Sequence, residues 1–262
     1  MPAISGLESI ILGAIQGLTE FLPVSSSAHL VLVPWLMGWK DPGLAFDVAL
    51  HLGTLVALLV YYWKEWLTLG ASVFSNDRKN RHLLGMLIVA SVPGAIIGLM
   101  FEKEAETIFR APALIAVAMA ALGIALWFSD RATSQTRAMT EITFGDALLI
   151  GLSQAFAVIP GVSRSGSTIT MARLLRLKRE DAANFSFLMA APIIAGAGLV
   201  EGRHLAHTID LNVMLGFTAA TIFGLLAIAG LVRFVRTHTY EPFAWYRVLA
   251  AAFVILIVLL RG

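Results

Sequence analysis

The chain has 262 residues, of which 58% are hydrophobic and only 14% are charged. Because an average soluble domain carries roughly 25% charged residues, this composition excludes an ordinary soluble enzyme and a disordered chain. The net charge of +2 gives no basis for binding nucleic acid, and the absence of cysteine excludes disulfides, cysteine-ligated metals and thiol nucleophiles. A polytopic membrane protein remains, and it should contain apolar runs of about 20 residues.

Six apolar runs are long enough to cross a membrane as helices. At a rise of about 1.5 Å per residue, each covers most or all of a hydrocarbon core that is roughly 30 Å thick. The runs are Leu44 to Trp63, Leu83 to Phe101, Ala111 to Phe128, Ala183 to Val200, Leu211 to Val232 and Trp245 to Leu260. The sequence therefore predicts an all-α polytopic membrane protein with six transmembrane helices.

Two further apolar stretches are interrupted in the middle. The first, Ile4 to Trp39, is broken by Pro23-Val-Ser-Ser-Ser27, and the second, Phe144 to Leu177, is broken by Pro160-Gly-Val-Ser-Arg-Ser-Gly166. Each half has only about 12–18 residues, too few for a span, and Pro and Gly favour a turn at the break. We expect two re-entrant helical hairpins, whose turns lie inside the bundle because irregular backbone cannot face lipid.

A shift of 138 residues relates the two interrupted stretches. The matching pairs are Glu8 with Asp146, Gly13 with Gly151, Gln16 with Gln154, Val24 with Val162, Ser25 with Ser163 and Ser27 with Ser165. Each half then has one hairpin followed by three spans, and because three is odd, the second hairpin must enter from the opposite face. We expect a single membrane domain, residues 1–262, built from inverted-topology repeats at about 1–128 and 144–262. Chance similarity of two apolar segments is the alternative.

Positive charge is distributed unequally between the two predicted faces. Twelve residues fall on one face: Lys64, Arg78, Lys79, Arg81, Arg131, Arg137, Arg173, Arg176, Lys178, Arg179, Arg233 and Arg236. Five fall on the other: Lys40, Lys103, Arg110, Arg203 and Arg261. Since cytoplasmic loops are enriched in Lys and Arg, we expect both termini and the first hairpin on the outer side of the membrane.

The first break gathers polar and ionisable residues at membrane depth, where such groups are costly and are candidates for function. Glu20 precedes the turn and shares a helical face with Gln16, four residues earlier. The turn and the next half-helix supply three hydroxyls and an imidazole, from Ser25, Ser26, Ser27 and His29. A hydroxyl becomes a nucleophile when a base activates it, usually a histidine held by a carboxylate. We expect Glu20, Ser26 and His29 to converge; simple capping of the next half-helix by the serines is the alternative.

The second break supplies positive charge. Arg164 stands at the position that matches Ser26, and its neighbours in the turn and the following helix are Ser163, Ser165, Gly166 and Thr168. Backbone N–H groups at a helix N-terminus and a planar guanidinium both suit a phosphate group. At the position that matches Glu20, the second half has Val158, so the acid–base groups and the anion clamp belong to different halves. A purely structural pairing of Arg164 with Glu20 is the alternative.

Two more ionisable residues lie in the first predicted span. Asp47 and His51 are four residues apart and therefore share a helical face. We expect them to form a supporting pair or to line the cavity, and a catalytic role is the alternative.

Both breaks carry motifs that resemble those of a known family. Residues 16–30, QGLTEFLPVSSSAHL, resemble the first signature of the undecaprenyl-pyrophosphate phosphatase family of the bacitracin-resistance type. Residues 160–168, PGVSRSGST, resemble its second signature, and the resemblance in length and span pattern covers essentially the whole chain. The family accepts Glu or Gln at its first position, so Gln16 leaves Glu20 as the only carboxylate of that pair.

The resemblance implies an enzyme of the bacterial inner membrane that hydrolyses undecaprenyl pyrophosphate to undecaprenyl phosphate and inorganic phosphate. This reaction recycles the lipid carrier for peptidoglycan synthesis and confers bacitracin resistance. The implied catalytic residues are Glu20, Ser26, His29 and Arg164, and the implied substrate-binding residues are Gln16, Ser25, Ser27, Ser163, Ser165, Gly166 and Thr168. The resemblance also implies a site that faces the periplasm and a divalent cation, Mg²⁺ or Ca²⁺, for which Glu20 is a candidate ligand.

The residues leave the nucleophile open between Ser26, His29 and a metal-bound water. A transporter or flippase of a phosphorylated polyprenyl lipid is the alternative function, because inverted repeats with broken helices are also a transporter architecture. The expected partners are the lipid substrate and the membrane, with no nucleic acid, and a homodimer is left open.

Overall fold

The computed structural model describes residues 4–101, 104, 108–206 and 209–261, with the backbone alone for residues 201–206. This part of the chain contains eleven α-helices and, between Arg137 and Leu177, one isolated β-bridge. The helices are α1 (Gly6–Phe21), α2 (Ser26–Met37), α3 (Leu44–Tyr61), α4 (Trp63–Ser72), α5 (Arg78–Met100), α6 (Pro112–Ala132), α7 (Phe144–Ala155), α8 (Arg164–Leu174), α9 (Arg179–Ala206), α10 (Leu211–Val235) and α11 (Glu241–Arg261). Short 3₁₀ helices cover Ile108–Arg110, Met139–Glu141 and Phe156–Val158.

Six helices of the described chain are long and apolar enough to cross a membrane: α3, α5, α6, α9 up to Val200, α10 and α11. They correspond to the six predicted spans, so the prediction of an all-α polytopic membrane protein is confirmed. α5 begins at Arg78, five residues before the predicted start at Leu83. Its polar first turn is helical because the Asp77 side chain caps it by accepting a hydrogen bond from the Asn80 N–H.

Each interrupted stretch folds into two short helices joined by a turn. In the first hairpin, α1 begins at a capping box formed by Ser5 and Glu8. In the second, α7 begins at an equivalent box formed by Thr143 and Asp146. These reciprocal bonds satisfy backbone N–H groups that a helix start would otherwise leave without partners.

Both turns end on a serine in an unusual backbone conformation. Ser25 has a φ of 77° and Ser163 has a φ of 71°, and each caps the helix that follows it. Non-glycine residues with positive φ are uncommon, cost free energy and concentrate at functional sites. Residues 138 positions apart therefore share a local structure at both breaks.

Entry of the hairpins from opposite faces, and the division into two inverted repeats, stay predictions. Of the charges used to orient the chain, Lys103 and the side chain of Arg203 lie outside the described residues.

Each hairpin packs against a long helix from the other half of the chain. α1 lies along α10, and Gly13 allows it to approach the backbone of Gly216. α7 lies along α5, where Gly151 approaches the backbone of Ala90 in the same way. Small residues at such crossings let helix backbones approach closely in membrane proteins. The close approach places both turns in the interior of the bundle.

A buried ion cluster joins four segments away from the turns. The carboxylate of Asp130 on α6 accepts hydrogen bonds from Nε of Arg173 at 2.9 Å and from Nε of Arg179 at 2.8 Å. It also accepts one from the Tyr240 N–H, just before α11, at 2.9 Å. Arg173 is fully buried, and a buried charge of this kind needs such a partner.

Gly13→Ala is expected to lower the melting temperature of the purified protein. A Cβ atom at this position would lie 2.2 Å from the Gly216 carbonyl oxygen, so α1 would have to move away from α10. Overpacking of this kind costs about 1–3 kcal/mol, more than the gain of up to about 1 kcal/mol that alanine brings to a helix. Gly85→Ala on α5 is the matched control, because nothing lies within 4 Å of its added Cβ. Thermal unfolding in detergent measures both variants, and equal stability of Gly13→Ala and the native protein would contradict the close crossing.

Candidate active site

The two turns meet through a buried ion pair. Nη2 of Arg164, at the start of α8, donates a hydrogen bond of 2.8 Å to Oε1 of Glu20, near the end of α1. Nη1 of Arg164 donates to the Ser186 carbonyl oxygen of α9 at 2.9 Å. Because the Glu20 side chain is only 5% exposed, the pair compensates a carboxylate that burial would otherwise penalise.

The second carboxylate oxygen of Glu20 accepts a hydrogen bond from Ser26, the serine expected to be a nucleophile. Oγ of Ser26 donates to Oε2 of Glu20 at 2.5 Å, and Nε2 of Gln16 donates to the same oxygen at 3.1 Å. Hydroxyl-to-carboxylate bonds of this length are strong, charge-assisted bonds. The carboxylate is therefore in place to accept the proton of the Ser26 hydroxyl.

Direct hydrogen bonds also join the backbone of one turn to serines of the other. The Gly161 N–H of the second turn donates to Oγ of Ser25 at 3.1 Å. In the opposite direction, Oγ of Ser165 donates to the Leu22 carbonyl oxygen at 3.1 Å. Ser25 also caps α2, so it has the capping role considered for the serine cluster, whereas Ser26 binds Glu20.

A small polar cavity of about 100 Å³ opens between the two turns. Its lining residues come from both hairpins and from α3: Glu20, Ser26, Ser27, His51, Ala157, Ser163, Arg164 and Ser165. Since a water molecule takes up about 30 Å³ of liquid volume, the cavity has room for a small polar group but not for a lipid chain. Glu20 and Ser26 of the first half and Arg164 of the second half therefore line the same cavity.

The imidazole beside Glu20 is that of His51, not that of His29. Nε2 of His51 lies 3.4 Å from Oε2 of Glu20, and its Nδ1 lies 2.7 Å from the Asp47 carbonyl oxygen. His29 has Nδ1 at 2.6 Å from the Ser25 carbonyl oxygen and Nε2 at 2.6 Å from the hydroxyl of Tyr246. His29 therefore makes no hydrogen bond to Ser26 or Glu20, because both of its ring nitrogens bind other partners. A catalytic role for His29 stays a prediction.

Asp47 and His51 meet the sequence expectation in part. His51 lines the cavity, which is one of the two roles expected for this pair. The Asp47 carboxylate does not pair with the His51 ring; it lies 3.4 Å from Nη1 of Arg110, whose Nη2 binds Asp41 at 2.7 Å. Arg110 lies outside the apolar spans, so the span pattern gave no reason to connect it with Asp47.

Four of the predicted substrate-binding residues do not line the cavity: Gln16, Ser25, Gly166 and Thr168. The last two support α8 instead. Oγ1 of Thr168 lies 2.7 Å from Oγ of Ser186 and connects α8 to α9. The Gly166 N–H donates to Oγ of Ser163 at 3.0 Å, so the cap already uses a donor that was expected to face an anion. Both residues are close to Arg164 in sequence. The motif alone therefore could not distinguish residues that stabilise the helix from residues that line the cavity.

Two residues that touch this region were not recognised as site residues. Ser186 accepts a hydrogen bond from Arg164 through its backbone carbonyl, so its side chain gives no signal. Tyr246 lies at the start of the last apolar span, far from His29 in sequence, but its ring stacks on His29 with 5.7 Å between centroids. The one sequence signal for the Tyr246 contact was His29 itself, because an ionisable residue at a helix break needs a partner.

The cavity contains few ligands for a metal ion. No group of three His, Cys, Asp or Glu side chains that could hold one occurs among the residues that the structure describes. Glu20 is the one carboxylate among the lining residues, and Oε1 of Gln16 is buried without a hydrogen-bond partner in the described part of the chain. Mg²⁺ is often bound by one or two carboxylates together with substrate phosphates. Glu20 and the neighbouring Gln16 thus offer oxygen ligands of the kind that Mg²⁺ prefers, but Gln16 does not line the cavity.

Comparison with known proteins agrees with these motifs. The family described as "Bacitracin resistance protein BacA" matches residues 9–253. A protein of Moorella thermoacetica named undecaprenyl-diphosphatase is 48% identical over 257 residues, covering 97% of this chain and 98% of its own. Proteins of the same name from Desulforudis audaxviator and Pelotomaculum thermopropionicum are 50% and 46% identical, each covering 97% of this chain and 98% and 97% of their own. The chain therefore belongs to the bacitracin resistance protein BacA family.

Proposed function

We propose that this protein hydrolyses undecaprenyl pyrophosphate to undecaprenyl phosphate and inorganic phosphate. The observation that carries the proposal is the meeting of a carboxylate-bound serine, Ser26, with the guanidinium of Arg164 in one small polar cavity. The name of the relatives, which align over nearly the whole chain, supports the substrate. The reaction would return the lipid carrier to peptidoglycan synthesis and confer resistance to bacitracin.

Substrate binding follows from the charges and donors of the cavity. Arg164 and Glu20 compensate one another, so an incoming diphosphate brings charge that the guanidinium can share through its planar N–H groups. The hydroxyls of Ser27, Ser163 and Ser165 line the same cavity and offer further hydrogen bonds. The apolar tail extends away from the cavity along the lipid-facing helices, because the cavity is too small for it.

The chemical step uses Ser26 as the nucleophile and Glu20 as its base. As Oγ of Ser26 attacks the terminal phosphorus, its proton passes to Oε2 of Glu20, which already accepts that hydrogen bond. The bond between the terminal phosphorus and the bridging oxygen breaks, and undecaprenyl phosphate leaves with that oxygen. Glu20 releases its proton with the departing undecaprenyl phosphate. Water then loses a proton to Glu20 as it attacks the phosphoserine, the bond between phosphorus and Oγ breaks to release inorganic phosphate, and Glu20 returns the proton to Oγ of Ser26. Arg164 stabilises negative charge on the transferred phosphoryl group in both steps.

Purified protein in detergent should release inorganic phosphate from undecaprenyl pyrophosphate. Ser26→Ala should lose about a thousandfold or more of this rate, since removal of a nucleophile is among the costliest changes in an active site. Ser27→Ala is the matched control, because Ser27 lines the cavity but does not bind Glu20; it should lose less than about tenfold, the value of roughly one hydrogen bond. Movement of the labelled lipid across vesicle membranes without phosphate release would contradict hydrolysis and favour the transporter alternative.

The proposed reaction includes a divalent cation, Mg²⁺ or Ca²⁺, which Glu20 and Gln16 would hold. When bound, the cation neutralises phosphate charge. EDTA should abolish phosphate release, and either cation should restore it. Gln16→Leu removes the unpartnered buried oxygen and should raise the cation concentration needed for half-maximal activity. Full activity in excess EDTA would contradict this part of the proposal.

We place the protein in the bacterial inner membrane with the cavity and both termini on the periplasmic side, as the charge distribution favours. Cysteine labelling tests this orientation on a chain that has no native cysteine. Ser5→Cys should react with an impermeant maleimide in intact cells, and Asn76→Cys, between α4 and α5, should react only after the membrane is opened. Both positions are exposed. The opposite pattern would contradict the orientation.

A further inference from the structure

A second arginine, besides Arg164, lies between the two turns and is not part of either motif. Arg247, on α11, is completely buried. Its guanidinium donates hydrogen bonds to four backbone carbonyl oxygens, those of Met119 at 3.1 Å, Pro23 at 3.1 Å, Gly161 at 2.6 Å and Val162 at 3.0 Å. Within the described chain no carboxylate pairs with it, so its charge is balanced by backbone dipoles alone.

The four acceptors show what Arg247 connects. Pro23 belongs to the first turn, and Gly161 and Val162 belong to the second. The turns interrupt their helices, so these carbonyl groups have no partner from a continuing helix and must find one elsewhere. Five N–H donors in one rigid plane allow a single arginine to satisfy both turns and α6 together. One side chain thereby fixes the distance between the two halves of the site.

The second motif is shaped to leave room for this guanidinium. A Cβ atom on Gly166 would lie 2.7 Å from Nη1 of Arg247. Gly161, whose carbonyl accepts the shortest of the four bonds, has a φ of 99°, and a Cβ atom there would lie 2.4 Å from the Ile115 carbonyl oxygen of α6. The close packing around Arg247 and α6 therefore explains why Gly161 and Gly166 are both glycine, without any role for phosphate binding.

Arg247 does not line the polar cavity, so it does not touch the substrate in this arrangement. We propose that Arg247 is a positioning residue, which keeps the Ser26 hydroxyl opposite the Arg164 guanidinium by holding the two turns at a fixed separation. This inference rests on the proposed phosphatase function.

The expected effect is on the rate of the chemical step. A misplacement of about 1 Å between reacting groups can cost about a hundredfold in rate. Arg247→Lys keeps the positive charge, but its single ammonium group cannot reach the carbonyls of both turns with the fixed geometry of a guanidinium. The variant should therefore lose about tenfold or more in kcat, while KM changes less than about threefold because Arg164 and the cavity hydroxyls still bind the diphosphate.

The test measures kcat and KM for phosphate release by native protein and Arg247→Lys in detergent. The binding-competent fraction comes from calorimetric titration with methylenediphosphonate, a diphosphate that cannot be hydrolysed, and kcat is expressed per binding site. Arg173→Lys is the matched control, because Arg173 is equally buried but binds Asp130 away from the cavity. It should lower the melting temperature and leave kcat per binding site unchanged.

A second variant covers the case in which Arg247→Lys does not fold. Gly166→Ala displaces the guanidinium from the opposite side and should also lower kcat per binding site. In the double variant the losses should combine to less than their product, since both act on one contact. An unchanged kcat per binding site, or parallel loss of binding and turnover, in whichever variant folds would overturn the role of Arg247. Absence of phosphate release by the native protein would instead overturn the proposed function.

Discussion

A helix that breaks at membrane depth must find partners for its free backbone groups within the protein, because lipid offers none. This chain contains two breaks in apolar stretches, which we predict to lie at membrane depth, and each supplies partners for the other. The Gly161 N–H binds the Ser25 hydroxyl, the Ser165 hydroxyl binds the Leu22 carbonyl, and the Arg247 guanidinium bonds to carbonyls of both turns. The need to satisfy the backbone therefore brings together two segments that are far apart in sequence. Glu20 and Arg164 meet as a consequence.

The ion pair of Glu20 and Arg164 has a structural and a chemical role at the same time. A buried ion pair seldom contributes much net stability, but loss of either partner leaves an uncompensated buried charge. The same pair leaves Oε2 of Glu20 free to hold the Ser26 hydroxyl and leaves the guanidinium facing the cavity. A structural role and an anion-binding role for Arg164 are therefore compatible in one arrangement, in which the proposed diphosphate would be an additional partner for the positive charge.

Much of this arrangement could be predicted from local sequence. Apolar length predicts the spans, Pro23 and Gly161 predict the breaks, and ionisable residues at a break predict that Glu20 and Arg164 matter. Residues whose contacts depend on packing between distant elements could not be predicted in the same way. His51 reaches Glu20 from α3, whereas His29, although closer in sequence, turns to Tyr246 on α11. Hydropathy and spacing describe one helix at a time and contain no information on which faces of separate helices meet.

The most direct measurement of the central claim is the location of the phosphoryl group during turnover. Undecaprenyl pyrophosphate labelled with ³²P at its terminal phosphate would be mixed with the native protein, the reaction quenched in the first turnover, and the labelled peptide identified. The account predicts label on Ser26, formed before inorganic phosphate is released and greatly reduced in Glu20→Gln because the base is missing. Label on His29, or phosphate released in the first turnover with no labelled protein at any time, would contradict the claim that the serine bound to Glu20 is the nucleophile.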